Sequence, residues 1–210
     1  MEKLDILVPP DFKKSSQIKN VKQAIEDGDW LGTFNLWVIQ NKPVPAIIYQ
    51  QRSPNASWAP LKLDVTAGGH YTAGESIKDG LREVREELGR KYNFKELTPL
   101  GRRLNVGVDT KKRQRRTVCD IFIVLDDAPL SSYTLQKEEV HAIFSCPIDT
   151  LLKVHTKKGY TFTAVGLTNT GKATTLKVSK SSFPYNWDDY HFKMALLAKR
   201  FLKNEQSLLY

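Results

Sequence analysis

This 210-residue chain offers little to a membrane, a disulfide framework or a structural zinc. Its longest stretch without a charged side chain, Gly159 to Gly171, is rich in Thr and Gly. That stretch is too short and too polar to cross a bilayer, so no membrane partner is expected. Two cysteines, Cys119 and Cys146, are too few for a disulfide scaffold or a four-ligand zinc site. Both fall in apolar runs, VCDIFIVL and AIFSCPI, where a buried thiol is the ordinary state. The opening MEKLDILVPPDFKK has no basic stretch followed by an apolar block, so a cytoplasmic location is expected. Repeats and low-complexity blocks are absent as well. With 40% hydrophobic and 26% charged residues, the composition is that of a folded globular chain.

Acidic residues are outnumbered, 23 against 32 Lys and Arg, for a net charge of +9. Much of the excess is local. From Arg102 to Arg116 there are seven basic residues and one acid, Asp109, which is +6 and leaves +3 for the rest. Such a cluster suits a polyanionic partner or a phosphate-rich substrate, or else is a solvated hairpin tip.

The pattern predicts a mixed α/β fold. Ile18, Val21 and Ile25 stand at helical spacing, so a short amphipathic helix is expected over residues 15–27, with Gly28 as its C-cap. GTFNLWVIQNKPVPAIIYQQRS reads as two strands around the Asn41–Pro43 turn. LDVTAGG is strand-like, and a helix is expected from Ile77 to Leu88, ended by Gly89. Residues 97–108 and 117–125 read as strands flanking the basic turn, 140–146 as a strand and 148–154 as a short helix. Residues 160–179 read as a hairpin about Asn169-Thr170-Gly171. A last helix is expected over 186–204, with Asn186 as N-cap, Asp188 and Asp189 at its positive end, and Tyr190, Met194, Leu197 and Phe201 as its inward stripe.

The chemistry concentrates in GGHYTAGESIKDGLREVREELG, residues 68–89. On a helical wheel Leu81, Val84 and Leu88 form one apolar stripe with Ile77, while Glu83, Glu86 and Glu87 gather on another face. Like charges three and four residues apart cost a bare helix a few tenths of a kcal/mol per pair. One explanation is a solvated face with Arg82 and Arg85 as counter-charges. The other is a divalent cation, because clustered carboxylates are hard oxygen ligands suited to Mg²⁺ or Mn²⁺. Gly68 and Gly69 would let the backbone approach the same ion.

These residues resemble the signature box of the Nudix hydrolases. Gly69, five residues and Glu75 fit it, and Arg82-Glu83-Val84-Arg85-Glu86-Glu87-Leu88-Gly89 fits its second half. The spacer from Ser76 to Leu81 is six residues, one fewer than the pattern has, which tightens the junction that must pair Glu75 with Arg82. Arg90 stands where the pattern closes on an aliphatic residue. Gln50-Gln51-Arg52-Ser53, Pro60, Leu63-Asp64 and Thr66 to His70 look like the branch that also holds isopentenyl-diphosphate isomerases. That branch supplies an alternative, an isomerase-like enzyme, but Gly68 stands at its catalytic Cys position.

The resemblance implies an α/β/α sandwich on a mixed sheet. An extension at 1–30 precedes a domain over 31–210, with its core at 31–150, an inserted hairpin at 155–182 and the terminal helix. It implies Mg²⁺-dependent hydrolysis of a diphosphate linkage in a nucleoside diphosphate derivative or similar phosphoanhydride. Glu83 and Glu87 would be the main metal ligands, aided by the Gly68 carbonyl. Glu86 would bind metal and orient water, Arg82 would position the acids, and Glu75, Gly69 and Gly89 would shape the box. Glu138 and Glu139 are general-base candidates, with Glu139 preferred. Arg52 and His70 are candidates for substrate contact. Trp30, Trp37, Trp58 and Tyr71 are base-stacking or core residues. His141, His155 and His191 show no mutual ligand spacing. A homodimer is the family default, and a nucleotide- or RNA-binding module using the 102–116 hairpin is the non-enzymatic alternative.

Overall fold

The computed structural model describes residues 2–109, 111–184 and 187–210. The strands are β1 (Lys3–Val8), β2 (Lys13–Asn20), β3 (Trp30–Gln40), β4 (Ala46–Arg52), β5 (Leu63–Asp64), β6 (Ala67–His70), β7 (Thr98–Val108), β8 (Gln114–Leu125), β9 (Val140–Pro147), β10 (Phe162–Thr168) and β11 (Ala173–Val178). The helices are α1 (Val21–Asp27), α2 (Leu81–Leu88), α3 (Ile148–Thr156) and α4 (Tyr190–Leu202). Among the described residues the eleven strands make one sheet.

β3 is its spine. One edge pairs in parallel with β8 over its whole length, from Trp30 opposite Arg116 to Ile39 opposite Leu125. The other edge is shared end to end by β1, β6 and β4, all antiparallel. Alternation along β3 then divides the core. Phe34, Leu36 and Val38 pack with Val84 and Leu88 of α2 on one face. Trp37 and Ile39 pack with Ile148 and Leu151 of α3 and Met194 and Ala198 of α4 on the other. The result is the expected sandwich of helices about a mixed sheet.

Three local expectations are corrected. Residues 13–20 are strand, not helix, because they pair with β1; Ile18 is 54% exposed there. The helix begins only at Val21, where Asn20 caps it by accepting a hydrogen bond from Gln23 N at 2.9 Å. Ile77 belongs to a 3₁₀ turn, Ile77–Gly80, and falls off the apolar stripe of α2. The last helix starts at Tyr190, and Asn186 lies outside the described residues. Asp188 does not serve the helix end; the buried Arg103 guanidinium holds it, Nε to Oδ2 at 2.7 Å and Nη2 to Oδ1 at 2.9 Å.

The α3–α4 side of the core carries an acid-sensitive element. His191 is 3% exposed, both ring nitrogens are buried without a partner, and its ring sits against Phe183, Tyr49 and Trp37. Burial pushes its pKa down to about 3, with His155 and Arg103 pushing the same way. The folded state therefore keeps this imidazole neutral while the unfolded chain protonates it below about 6.5. Its contribution to stability is complete above that pH and falls as pH drops toward 3, by about 1.4 kcal/mol per pH unit for one proton. Urea unfolding of His191→Phe across pH 4–6.5 should show a shallower pH dependence than wild type. An unchanged slope would contradict the assignment.

Candidate active site

The site is built around the junction from β6 to α2. Glu75 closes the loop on itself: its Oε2 accepts from Thr72 N at 2.7 Å, and its own N–H donates to Thr72 O at 3.0 Å. Ser76 and Asp79 then cap each other, and residues 77–80 wind as a 3₁₀ turn before α2 begins. A 3₁₀ turn advances about 2.0 Å per residue against about 1.5 Å in an α-helix, so a spacer one residue short still covers the distance. Arg82 Nε reaches Glu75 Oε1 at 2.9 Å, and the pairing that the short spacer put under strain is made.

Glu83 and Glu87, one helical turn apart, point from α2 into the backbone of β6. They are 8% and 3% exposed. Glu87 Oε2 accepts from Gly68 N at 3.0 Å. At Gly69 an added Cβ would clash with the Glu83 carboxyl group, and at Gly68 it would lie 2.5 Å from Phe34 O. The paired glycines are thus a requirement of close approach. Glu86 is half-exposed and accepts from Arg82 Nη1 at 2.8 Å, while Arg82 Nη2 serves Glu83 Oε1 at 2.9 Å. Gly89, at φ 64°, ends the helix in the left-handed conformation expected of it.

Burial dominates the electrostatics of the acids on α2. Burial raises Glu83 to about 7, against the pull of Arg82 and with Glu2, Glu139 and Glu86 adding to the rise. Burial raises Glu87 well above the carboxylate range, and the Gly68 N–H only partly offsets it. Glu75 behaves oppositely: burial pushes it up, but the hydrogen bonds from Arg82 and Thr72 hold it low. Two buried hard-oxygen donors short of cation are chemically suited to a divalent ion. Among the described residues no three His, Cys, Asp or Glu side chains already converge as an ion cage, and Arg82 bonds to both Glu83 and Glu86.

These groups floor a cleft of about 390 Å³. Glu139, just ahead of β9, lines it; Glu138 does not. Arg52 lines it with its guanidinium over the Trp58 ring at 5.4 Å and Nη1 3.5 Å from Asp64. His70 contributes a buried ring whose Nε2 has no partner, held neutral with its pKa pushed down to about 3 by burial, Arg115 and Arg52. Of the box, substrate-contact and general-base residues expected from the sequence, all but Gly89, Glu75 and Glu138 thus border one cleft, and Glu75 reaches it through Arg82. A larger cavity of about 1010 Å³ lies elsewhere, lined by Leu7, Phe12, Tyr71 and Phe122, and includes none of Glu83, Glu86 or Glu87.

The sequence reading missed Arg115, Asn105, Thr33, Asn35 and Glu2, which also line the cleft. Arg103, Asn105 and Gly107 of β7 and Arg115, Thr117 and Cys119 of β8 all face it, so period-two alternation was the available signal. It was obscured because 102–116 reads as one basic block. The strands continue to Val108 and from Gln114, and they divide the block. Arg102 pairs with Asp120, Arg103 with Asp188 and Arg113 with Asp109, while Arg116 donates to Gly28 O. Arg115 enters the cleft, and Lys111 and Lys112 sit at the exposed tip. The basic residues of the segment therefore do not all lie on one exposed surface. Nor does Gly68 have room for a cysteine, as the isomerase alternative would need. Cys119, the thiol lining the cleft, is buried, and burial raises its pKa.

Residues 32–165 match the NUDIX domain model. The chain belongs to the Nudix family. An uncharacterised Nudix hydrolase of Clostridium acetobutylicum is 37% identical over 139 residues, 64% of this chain and 66% of that protein. Nudix hydrolase 3 of Arabidopsis thaliana is 28% identical over 70% of this chain, which spans 19% of it. The chain thus spans less than two thirds of either relative. The Deinococcus radiodurans structure DR0079 superposes with a TM-score of 0.56 at 19% identity, covering 75% of this chain and 90% of that one. That likeness is one of fold. Among the described residues no helix of this Nudix protein is long and apolar enough to cross a membrane.

Proposed function

We propose that this Nudix protein hydrolyses a phosphoanhydride, the P–O–P linkage of a nucleoside diphosphate derivative or similar compound, with the aid of Mg²⁺ or Mn²⁺. The observation that carries this reading is the pair Glu83 and Glu87, two carboxyl groups buried side by side against the paired glycines of β6 at the floor of the cleft. Glu83, Glu87 and Glu86 would hold the cation, with the Gly68 backbone beside them. When bound, the ion would neutralise phosphate oxygens and make water more acidic.

The protein's own groups supply the rest. Arg52 and Arg115 stand close enough that each lowers the proton affinity of His70, and Arg115 has its own pKa lowered by burial and by Arg52. Two guanidiniums sharing one wall favour a ligand carrying negative charge on several oxygens. Water attacks one phosphorus, the bridging oxygen leaves with the other phosphate, and the water proton passes to a carboxylate. Glu139 and Glu86 border the cleft and are the candidates for that role. Neutral His70 offers a hydrogen bond without adding charge.

Arg115→Gln should raise KM about tenfold or more while changing kcat much less, as loss of a charge-assisted phosphate contact does. Initial-rate kinetics decide it, and an unchanged KM would remove Arg115 from the binding wall. The function itself is tested by a substrate screen with and without Mg²⁺, its products separated and identified by chromatography. It would cover nucleoside diphosphate sugars, dinucleotide polyphosphates, nicotinamide and flavin dinucleotides, coenzyme A and nucleoside triphosphates, with isopentenyl diphosphate for the isomerase alternative. Metal-dependent P–O–P cleavage supports the proposal, and metal-independent turnover or allylic product alone would contradict it.

A further inference from the structure

We infer that the N-terminal hairpin, which lies outside the 32–165 family match, is a working part of the catalytic box, with Asp5 and Lys14 as positioning residues. The inference rests on the hydrolase reading above. Four contacts join residues 2–14 to the loop and helix that carry the box. Lys3 O accepts from Ala73 N at 2.7 Å. Asp5 Oδ2 accepts from Gly74 N at 2.9 Å. Lys14 Nζ donates to Glu75 O at 2.7 Å and also pairs with Asp5 Oδ2 at 2.7 Å. Glu2 Oε1 lies 3.7 Å from Arg82 Nη2, on the guanidinium that also serves Glu75, Glu83 and Glu86.

The physical need follows from the short spacer. With one residue fewer between Glu75 and Arg82, the loop turns at Gly74, φ 87°, and passes at once into the 3₁₀ turn. Residues 72–76 then have only the Glu75–Thr72 bonds and the Ser76–Asp79 cap to define them from within. β1 is fixed by its pairing with β3, Ile6 opposite Leu31 and Leu7 opposite Trp30, and β2 by its pairing with β1. The Asp5–Lys14 pair therefore extends from a rigid sheet and grips the backbone on both sides of the Gly74–Glu75 peptide. Held there, Glu75 presents its carboxylate to Arg82, and Arg82 sets Glu83 and Glu86. The effect on the metal-binding carboxylates is transmitted, not direct.

Lys14 is half-exposed, so its loss should disturb the loop far more than the fold. The test compares wild type, Lys14→Met, Lys14→Arg and Asp5→Asn, with Glu87→Gln beside them, on a phosphoanhydride that the wild type cleaves with Mg²⁺. Amide exchange at Ala73 and Gly74 is read on the same samples. Lys14→Met and Asp5→Asn should lower kcat by about tenfold or more, as small misplacement of catalytic groups does, with KM and Tm near wild type. Gly74 should exchange faster in both, and Lys14→Arg, which keeps the charge and the donor, should restore rate and protection. Wild-type kcat and exchange in Lys14→Met, beside an inactive Glu87→Gln, would overturn the positioning role and leave the hydrolase reading intact. If the wild type shows no metal-dependent cleavage, that reading fails by itself. The exchange at Gly74 then still decides whether the hairpin holds the loop.

Discussion

Glu87→Gln should lower kcat by about 10³-fold or more, the scale seen when a principal electrostatic element of an active site is removed. The same change should abolish any rise in Tm on adding Mg²⁺, because stabilisation by a ligand requires that the folded state bind it. The fold should survive, since glutamine keeps an oxygen to accept the bond from Gly68 N. Without metal the variant should be more stable than wild type, because burial opposes the Glu87 carboxylate. Glu83 makes the sign explicit. Its carboxyl is neutral in the folded state until about pH 7 and ionised in the unfolded chain above about 4.5. It therefore costs stability progressively between those values, by at most about 3 kcal/mol above the window, and Glu83→Gln should recover part of that. Denaturant unfolding in chelator and in Mg²⁺, run beside turnover, checks each part. Glu87→Gln with wild-type activity, or with an undiminished response to Mg²⁺, would contradict the site.

Gly69→Ala should inactivate almost as completely without touching a carboxylate. The methyl group would clash with the Glu83 carboxyl, which is the end of a side chain and can swing aside. Metal affinity and kcat should therefore fall together while Tm changes little. Gly68→Ala should behave differently, because its Cβ meets the Phe34 carbonyl of β3, which cannot yield without moving the strand. Its expected loss is in stability, about 2 kcal/mol or more, on the scale of overpacked cores. Unfolding curves for the pair separate the two outcomes. Equal destabilisation of both variants would contradict the distinct roles given to the two glycines.

What the sequence revealed and what it hid follow from range. The box was legible because its carboxylates are one residue type at helical spacing on a helix bounded by glycines. β3, β4 and β9 were legible from apolar runs between turn residues, and the 162–178 hairpin from its Asn-Thr-Gly turn. The strand at 13–20 was not, because its one apolar residue, Ile18, stands at helical spacing from Val21 and Ile25 of the following helix, and only the pairing with β1 decides the matter. Asp188 looked like a helix-end acid until folding brought Arg103 to it from 85 residues away. Arg115 was hidden among neighbours of like charge, although each takes a different partner. The clasp on Glu75 joins residues 61 apart in the chain, and no local pattern announces such a contact.

Everything proposed for the site depends on cation binding by the buried acids Glu83 and Glu87. Calorimetric titration of the chelator-treated protein with Mn²⁺ at pH 7 tests that binding, repeated in buffers of different ionisation heat so that protons are counted. Because a carboxyl must be deprotonated before it binds metal, wild type should bind Mn²⁺ and release protons to the buffer. Glu83→Gln and Glu87→Gln should each release fewer and bind more weakly. Binding without proton release, or binding that neither substitution weakens, would place the cation elsewhere.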